Sequence, residues 1–290
     1  MEQRENTLKL LGVFAHPDDE SFGPGGTLAR YAAEGIAVHI CIATDGAAGS
    51  FDEKHLEGYE TIAHRRADEL ERAVALLGAT LHRLDYRDSG MEGSPENQHP
   101  ASLVQAPLEE VGCRVATLMR QLRPQVVLTH DPRGDYFHPD HIKVSQAVQL
   151  AWEYVNNDAM CTGSDLPPWQ PQRLFWTALP RTWIRWAVRI LRLFRQDPTR
   201  FGRNKDIDLT RLGTPDELVH TRIDVRDFLP IKQAASRQHA SQLTPGFPDE
   251  RLPSAIRRRL FGSEFFTQAY PAEPRYATDL FEGLWPPADG

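Results

Sequence analysis

Four short apolar runs recur in the first half of the chain, and a segment of helical periodicity follows each of them. The runs lie at residues 8–15, 37–44, 80–84 and 125–129. The clearest helical segment is 107–122, where apolar side chains recur at three- and four-residue steps before Pro124. This alternation predicts an α/β fold, a Rossmann-like, doubly wound and mainly parallel sheet with helices on both faces.

The same criteria assign most of the remaining chain. We predict strands at 173–179 and 218–223, and helices at 26–33, 59–77, 107–122, 142–155, 182–194 and 228–243. The residues after 243 show no clear period. No internal repeat or linker divides the 290 residues. We therefore predict one domain over residues 1–290, with 157–213 as a candidate lid or insertion.

Composition narrows the class of protein. Hydrophobic residues make up 40% and charged residues 25%, as in ordinary globular proteins. Cys41, Cys113 and Cys161 are odd in number and form no CxxC pair, which argues against a disulfide framework and favours a reducing compartment. The charged start is not typical of a signal peptide, and no apolar run approaches the ~20 residues of a membrane-spanning helix. We expect a cytoplasmic protein without a transmembrane segment.

The net charge of −7 conceals one basic segment. Between Arg181 and Lys205 there are eight basic residues and one acidic residue, so this segment carries +7 and the rest −14. An acidic chain with one basic stretch is a poor candidate for nucleic-acid binding. Within the predicted helix 182–194 the arginines form a stripe. We favour the interpretation that this stripe is the solvated face of a helix that packs through its tryptophans. The alternatives are a surface for an anionic partner, a lid, a subunit contact and a membrane-surface helix.

Two polar clusters follow the first and fourth strands. The first spans 16–20 and contains one histidine and three acidic residues, whereas the second spans 130–141. In the strand order 3-2-1-4-5, strands 1 and 4 are neighbours at the point where open parallel sheets bind ligands. The topology therefore predicts that the two clusters meet.

A cluster of this composition is costly to bury unless a cation sits within it. Zinc takes imidazole and carboxylate ligands, and a catalytic site leaves one position open. Two histidines and one carboxylate meet that requirement, and the pairs His16–Asp19 and His138–His141 share a three-residue spacing. The competing interpretation is structural, because Asp caps helices and Pro suits their first position. Capping explains one such cluster more easily than two at adjacent strand ends.

Several separated motifs belong to one known pattern. Ala-His-Pro-Asp-Asp-Glu occupies 15–20 and His-Pro-Asp-His occupies 138–141, and further matching segments lie at 44–46, 66–70, 86–91, 214–218 and 232–242. With these motifs in this order, the sequence resembles the LmbE-like, or PIG-L, family of zinc-dependent de-N-acetylases. The segment 86–91 and the two later ones are similar to the mycothiol-pathway deacetylase and amidase branch.

The resemblance implies a metal centre. His16, Asp19 and His141 would bind one zinc ion, and iron is the alternative because it occupies similar nitrogen and oxygen sites. Asp18 would be the general base that takes a proton from the attacking water.

It also implies roles for other matching residues. His138 would stabilise the oxyanion or protonate the leaving amine, and Asp140 would orient His138. Tyr136 is placed like a tyrosine that helps to polarise the amide carbonyl. Arg66 and Asp88 would contact the substrate.

Four nearby polar residues have competing structural explanations. Glu20 either supports the site or caps the following helix, and Asp135 either contacts substrate or forms a turn. For His130 a structural role is favoured. His239 is expected to pack against the site loops or to hydrogen-bond to them.

The resemblance implies a zinc-dependent hydrolase that removes the N-acetyl group from a small N-acetylglucosaminyl substrate. The implied setting is low-molecular-weight thiol biosynthesis of the bacillithiol or mycothiol type. A thiol S-conjugate amidase and a chitooligosaccharide deacetylase would use the same centre. From another class, the rival is a non-catalytic Rossmann-like metal-binding module, which has no need for a free Asp18 beside its ligands. The sequence leaves a homo-oligomer open.

Overall fold

A seven-stranded sheet forms the centre of the computed structural model, which describes residues 7–157, 161, 165–202, 205, 207–243, 253–273 and 276–284. The strands are β1 (Lys9–Phe14), β2 (Ala37–Thr44), β3 (Thr80–Tyr86), β4 (Val126–Thr129), β5 (Arg173–Ala178), β6 (Thr221–Asp224) and β7 (Ser263–Tyr270). Their order is β3-β2-β1-β4-β5-β7-β6. Strands β1 to β5 pair in parallel, and β7 runs antiparallel to β5 and β6. The predicted fold class is confirmed.

Helices cover both faces of the sheet. They are α1 (Asp19–Phe22), α2 (Gly25–Ala33), α3 (Ile62–Leu76), α4 (Leu108–Leu122), α5 (Gly134–Phe137), α6 (Pro139–Tyr154), α7 (Arg181–Leu193), α8 (Leu229–Gln238) and α9 (Ser254–Phe261). Leu10 and Phe14 of β1 face a core formed with α2, α3 and α8. Leu11 and Val13 face a second core formed with α4 and α6. Because successive side chains of a strand alternate between faces and both faces are covered, β1 is apolar from Leu10 to Phe14.

The position of β1 in the sheet determines where the functional residues meet. Leu11 lies opposite His39 of β2 on one side and opposite Val127 of β4 on the other. Strands β1 and β4 are therefore neighbours and point the same way. The loops that follow them emerge at the same edge of the sheet, as the sequence predicted.

The C-terminal third differs most from the sequence-based expectation. Strand β7 falls in a region where no period was recognised, and β6 begins at Thr221 rather than at 218. Within the candidate lid at 157–213, β5 is an integral strand that pairs with β4 and β7. The other described residues of that range lie outside the sheet, and a lid role for the range stays a prediction.

Helix α7 packs mainly through Val188 rather than through its tryptophans, although the Trp183 ring contacts Phe265, so the interpretation favoured from the sequence is only partly right. Val188 is its buried residue, and Ile184 and Leu191 pack with it against a small apolar cluster. Trp183 and Trp186 are both exposed. The periodicity identified an amphipathic helix, but it did not indicate which of two apolar faces is covered.

The cysteines also depart from expectation. Cys113 of α4 and Cys161 form a disulfide with Cα atoms 5.4 Å apart, and Cys41 is free and buried in β2. The odd number of cysteines therefore did not exclude a disulfide, because one disulfide and one free thiol in the core also account for three cysteines. Across the described ranges, no helix is long and apolar enough to cross a bilayer.

Candidate metal centre and active site

Three chain segments meet at the carboxyl edge of the sheet. The loop after β1 carries residues 16–20, the start of α6 carries residues 138–141, and Asp88 follows β3. His138 is the N-cap of α6, where its side chain accepts a hydrogen bond from the Asp140 amide and Pro139 occupies the first turn. The motif therefore does begin a helix with Pro139 in its first turn, but the capping side chain is that of His138 rather than that of Asp140, and the same turn directs His141 towards the β1 loop.

The three predicted metal ligands converge. Nδ1 of His16 lies 3.2 Å from Nε2 of His141, and Oδ1 of Asp19 lies 3.4 Å from the same Nε2. Oδ2 of Asp19 lies 3.6 Å from Nδ1 of His16. Ligand atoms that surround a tetrahedral ion at roughly 2.0–2.2 Å are separated by about 3.3–3.6 Å. The two histidine nitrogens come close to this separation, whereas Asp19 approaches each of them with a different oxygen, so the three side chains approximate the surroundings of such an ion.

The opposite ring nitrogens are held by carboxylates. Nε2 of His16 lies 3.2 Å from Oδ2 of Asp140 and 3.4 Å from Oδ1 of Asp88. Nδ1 of His141 lies 3.1 Å from Oδ2 of Asp135. With the ring protons on these outer nitrogens, two imidazole lone pairs and one carboxylate would face each other. The chemistry of this donor set fits a metal ion.

Among the described residues, three groups of potential ligand atoms overlap at this site, and none of them contains His16, Asp19 and His141 together. His138 lies with His16 and His141 in one group, Asp19 with His130 and His141 in another, and His16 with Asp88 and Asp140 in the third. Nε2 of His130, however, accepts a hydrogen bond from the Ala15 amide, and its Nδ1 lies 2.6 Å from Oδ2 of Asp135. Both nitrogens of His130 are thus engaged, in agreement with the structural role favoured from the sequence.

Asp18 has an unusual backbone conformation, with φ of 125° and ψ of −28°. A non-glycine residue at positive φ is strained and requires support from its surroundings. Oε2 of Glu20 accepts a hydrogen bond from the Asp18 amide, and Oε1 of Glu20 bonds to Nε2 of His239 at 2.7 Å. Glu20 therefore supports the site rather than acting only as a cap, and His239 bonds to a site loop as expected.

Arg66 of α3 approaches Asp18 from the other side. Its side chain is buried, with Nη2 lying 3.0 Å from Oδ2 of Asp18. It also donates to the carbonyl oxygens of Gly46 and Pro17. A Cβ on Gly46 would lie 2.4 Å from the Arg66 guanidinium, so only glycine allows this approach. Burial raises the pKa of the Asp18 carboxyl to about 7, and the Arg66 charge opposes that rise.

His138 lies beside the three converging residues. The centroids of the His138 and His16 rings are 4.5 Å apart. Because its Nδ1 accepts the Asp140 amide, the proton of the neutral ring sits on Nε2. Burial, with smaller contributions from His16 and His141, lowers the pKa of His138 to about 2. The backbone of Asp140, and not its carboxylate, contacts His138. The carboxylate instead accepts hydrogen bonds from the Ser89 amide and hydroxyl.

Tyr136 lies in the short segment α5, where the backbone kinks at Asp135 with φ of 58° and ψ of −67°. Its ring contacts those of His141 and His138, with centroids 4.9 Å and 5.7 Å away. Tyr136 also packs against the small apolar cluster that contains Val188 of α7, and Ile184 of α7 packs against the same cluster. Helix α7 thus supports the segment that holds Tyr136 against the histidines.

The electrostatics of the site are dominated by carboxylates. Burial disfavours their charged forms, but neighbouring histidines outweigh it and hold the pKa values of Asp19, Asp88 and Asp135 below the ordinary range. Conversely, burial of His16 is outweighed by Asp88, Asp140 and Asp19, which raise the pKa of its imidazole. Such an excess of negative groups suits a divalent cation.

Comparison with known proteins identifies the family. The sequence pattern of the PIG-L family, described as GlcNAc-PI de-N-acetylase, matches residues 11–152. A protein of Thermomonospora curvata named 1D-myo-inositol 2-acetamido-2-deoxy-alpha-D-glucopyranoside deacetylase is 37% identical over 293 residues, covering 95% of this chain and 97% of the relative. The chain belongs to the PIG-L family. A Thermobispora bispora protein of the same name is also 37% identical, covering 95% of this chain and 98% of its own.

Solved structures agree on the PIG-L fold. The N,N'-diacetylchitobiose deacetylase of Pyrococcus horikoshii superposes with a TM-score of 0.62 at 20% identity, covering 91% of this chain and 84% of that one. At this identity the likeness concerns the fold alone. As a PIG-L family member with deacetylases among its relatives, the chain is an amide hydrolase of the N-deacetylase class.

Two contacts in the active site were not predicted from the sequence. Asp135 was interpreted as a turn residue or substrate contact, but its carboxylate connects His130 and His141. Ser89 was treated as part of a motif without a role, yet it fixes the carboxylate of Asp140. The polar sequence at 130–141 was the available signal for Asp135, whereas nothing in the sequence indicated which histidine it would contact.

Proposed function

We propose that the chain is a zinc-dependent deacetylase that removes the N-acetyl group from an N-acetylglucosaminyl substrate in low-molecular-weight thiol biosynthesis of the mycothiol type. The substrate proposed is 1D-myo-inositol 2-acetamido-2-deoxy-alpha-D-glucopyranoside. The supporting observation is the extent of the match to relatives of that name, 95% of this chain, which far exceeds the conserved family region at 11–152. It favours a shared substrate, because a common metal centre alone would serve several amides.

His16, Asp19 and His141 are the proposed metal ligands, because nitrogen and oxygen atoms of the three side chains lie 3.2 to 3.6 Å from one another. Zinc is favoured by two imidazoles and one carboxylate, and ferrous iron is the alternative. A divalent ion bound there supplies Lewis-acid polarisation of an amide carbonyl.

Asp18 is the proposed general base. Its carboxyl lies beside the ligands, and a pKa of about 7 lets it accept a proton near neutral pH. The contacts with Arg66 and Glu20 fix both ends of the residue, so that the carboxylate is presented to the site in one orientation. A base held in this way loses little entropy when water attacks the amide.

His138 is proposed to stabilise the oxyanion. Its neutral ring carries the proton on Nε2, so it can donate a hydrogen bond to the negative oxygen that develops during amide hydrolysis. Proton delivery to the leaving amine would need a charged ring, which the low pKa of His138 disfavours. Asp140 is proposed to position His138 through its amide.

Tyr136 is proposed to help polarise the substrate carbonyl from the opposite side of the histidines. Arg66 and Asp88 were predicted as substrate contacts. Both are buried, and their polar atoms already bond to Asp18 and to His16 respectively. We therefore propose that they affect the substrate mainly through these two residues.

A cytoplasmic location also belongs to this proposal. The observation that weighs against it is the pairing of Cys113 with Cys161, because disulfides are rare in reducing compartments.

The test is primary-amine release, followed by mass spectrometry, from the inositol glycoside, N-acetylglucosaminyl-malate, N,N'-diacetylchitobiose and a mycothiol S-conjugate. We expect the highest kcat/KM with the inositol glycoside, abolished by a chelator and restored by zinc. Preference for the S-conjugate would assign the chain to the amidases. Preference for the malate glycoside or chitobiose would retain the deacetylase and replace the substrate. Turnover unaffected by complete metal removal would overturn the metal centre.

A further inference from the structure

Helix α7 presents two different stripes to solvent. An apolar stripe is formed by Trp183, Trp186, Ile190 and Leu193, which recur at steps of three and four residues and thus lie on one side of the helix. All four are exposed, Trp186 by 58% and Leu193 by 79%. The buried side of α7 is a separate face, centred on Val188. Large apolar side chains clustered in solvent in this way mark an interaction surface.

An arginine stripe runs beside the apolar stripe. Arg181, Arg185, Arg189 and Arg192 follow at steps of four, four and three residues, so they share one flank of α7. The guanidinium of Arg189 lies 5.4 Å from the ring of Trp186, where the two stripes touch. No acidic residue occurs within α7. The exposed surface of the helix is therefore half apolar and half cationic.

The surface continues beyond α7. Trp183 packs edge-to-face on Phe265 of β7 at 5.4 Å, and Arg222 of β6 lies 5.9 Å from the Phe265 ring. Arg222 also borders a neighbouring recess lined by Arg258 and Arg259 of α9. The basic and aromatic character thus extends from α7 to the edge of the sheet.

We propose that α7 docks this enzyme onto an anionic lipid bilayer, lying in the interface with its apolar stripe inserted and its arginines against the headgroups. Interfacial helices combine a strong apolar face with tryptophan and a cationic flank, as α7 does. Charge complementarity selects lipid over a second copy of the chain. In a symmetric dimer through this face, the arginine stripes would approach each other and repel.

The proposal is independent of the deacetylase assignment, because it concerns a surface and not the metal centre. The two are nevertheless connected in space. Tyr136 packs against the small apolar cluster that includes Val188, on the buried side of α7. A docked α7 would hold the active-site edge close to the bilayer.

The test is co-sedimentation of the full chain with vesicles of phosphatidylcholine containing about one-third phosphatidylglycerol, and with vesicles of phosphatidylcholine alone. We expect binding to the anionic vesicles at low salt, with a blue shift of tryptophan fluorescence that is reduced in Trp186→Ser. Each arginine near an anionic surface contributes about fivefold to partitioning. The double variant Arg185→Gln/Arg189→Gln should therefore bind roughly 25-fold more weakly.

The matched control is Arg72→Gln/Arg83→Gln, which removes two exposed arginines, one from α3 and one from β3, the strand at the opposite edge of the sheet from β6. We expect this control to change vesicle binding less than about twofold. Equal loss in both double variants would reduce the effect to net charge and overturn the proposal. Absence of binding to anionic vesicles would do the same. A dimer in analytical ultracentrifugation that depends on Trp186 would also overturn the proposal, because it would assign this face to a second copy of the chain.

Discussion

Oδ2 of Asp135 accepts a hydrogen bond from Nδ1 of His141 at 3.1 Å, on the side of the ring opposite the facing ligand atoms. The same oxygen lies 2.6 Å from Nδ1 of His130. One carboxylate therefore fixes the orientation of a proposed ligand and ties it to the end of β4. Contacts of this kind set the tautomer and the basicity of a ligating histidine.

Asp135→Asn should weaken metal binding by about 10- to 100-fold, because the amide accepts less strongly and directs a donor at His141 or His130. A competitive chelator titration measures this affinity. Thr177→Val is the control, since Thr177 donates to Oδ1 of Asp135 and not to either histidine, and we expect it to have a smaller effect. Unchanged affinity in Asp135→Asn would show that His141 is positioned without it.

Asp18→Ala should retain the metal and lose on the order of 10²–10⁴ in kcat, the usual contribution of a general base. Metal content by mass spectrometry and turnover by amine release are measured on the same preparation. His16→Ala should instead lose both. If Asp18→Ala also lost the metal, base and ligand would have been assigned the wrong way round.

Arg66→Met should destabilise the fold by about 3–5 kcal/mol, because it leaves the carboxylate of Asp18 and two carbonyl oxygens buried without their donor. Urea denaturation measures the free energy of unfolding. Arg72→Met, on the exposed side of the same helix, should cost less than about 0.5 kcal/mol. A similar loss of unfolding free energy in both variants would mean that the Arg66 contacts stabilise the fold no more than an exposed helix residue does.

The pair His39–His82 makes stability depend on pH. Burial, followed by His82 and Lys9, lowers the pKa of His39 to about 4. In the unfolded chain the imidazole has its ordinary pKa of about 6.5. Between these values the unfolded chain binds a proton that the folded chain does not, so stability is full above about pH 6.5 and falls towards pH 4.

His39→Gln should therefore lose less stability than the parent when the pH falls from about 7 to about 5. Urea denaturation at both pH values gives the comparison, and the exposed His64→Gln serves as the control. A parallel loss in the parent and in His39→Gln would exclude this histidine as a source of the pH dependence.

The disulfide predicts a thiol count. Without reductant the unfolded chain should show one reactive thiol, that of Cys41, and three after reduction. Cys161→Ser should lower the free energy of unfolding by about 2–4 kcal/mol, since the bridge closes a loop of 48 residues. Three thiols before reduction would restore the original expectation of unpaired cysteines.

Much of the fold follows from local pattern. Strands β1, β2 and β4 are largely buried on both faces, so each consists mostly of apolar residues and is easily recognised. Strand β7 is not, because it contains Glu264 and Gln268 and is only partly buried. Its pairing with β5 and β6 depends on residues far away in the sequence, which a local pattern does not reveal.

The site shows a similar division. Topology brought the two clusters together, since neighbouring parallel strands end at the same edge. The roles of individual carboxylates were harder to predict because they depend on backbone geometry. Asp135 reaches His141 through a kink at positive φ, and Asp140 directs its carboxylate to His16 and Ser89. Spacing alone does not encode either direction.

The position of β7 between β5 and β6 has a consequence for synthesis on the ribosome. Strand β6 leaves the ribosome first, but among the described strands it pairs only with β7, whose residues 263–270 come near the end of the chain. Strand β5 likewise keeps one edge open until then. Translation that stops before residue 263 therefore costs the sheet two strands rather than one, and leaves β5 exposed to pairing with other nascent chains.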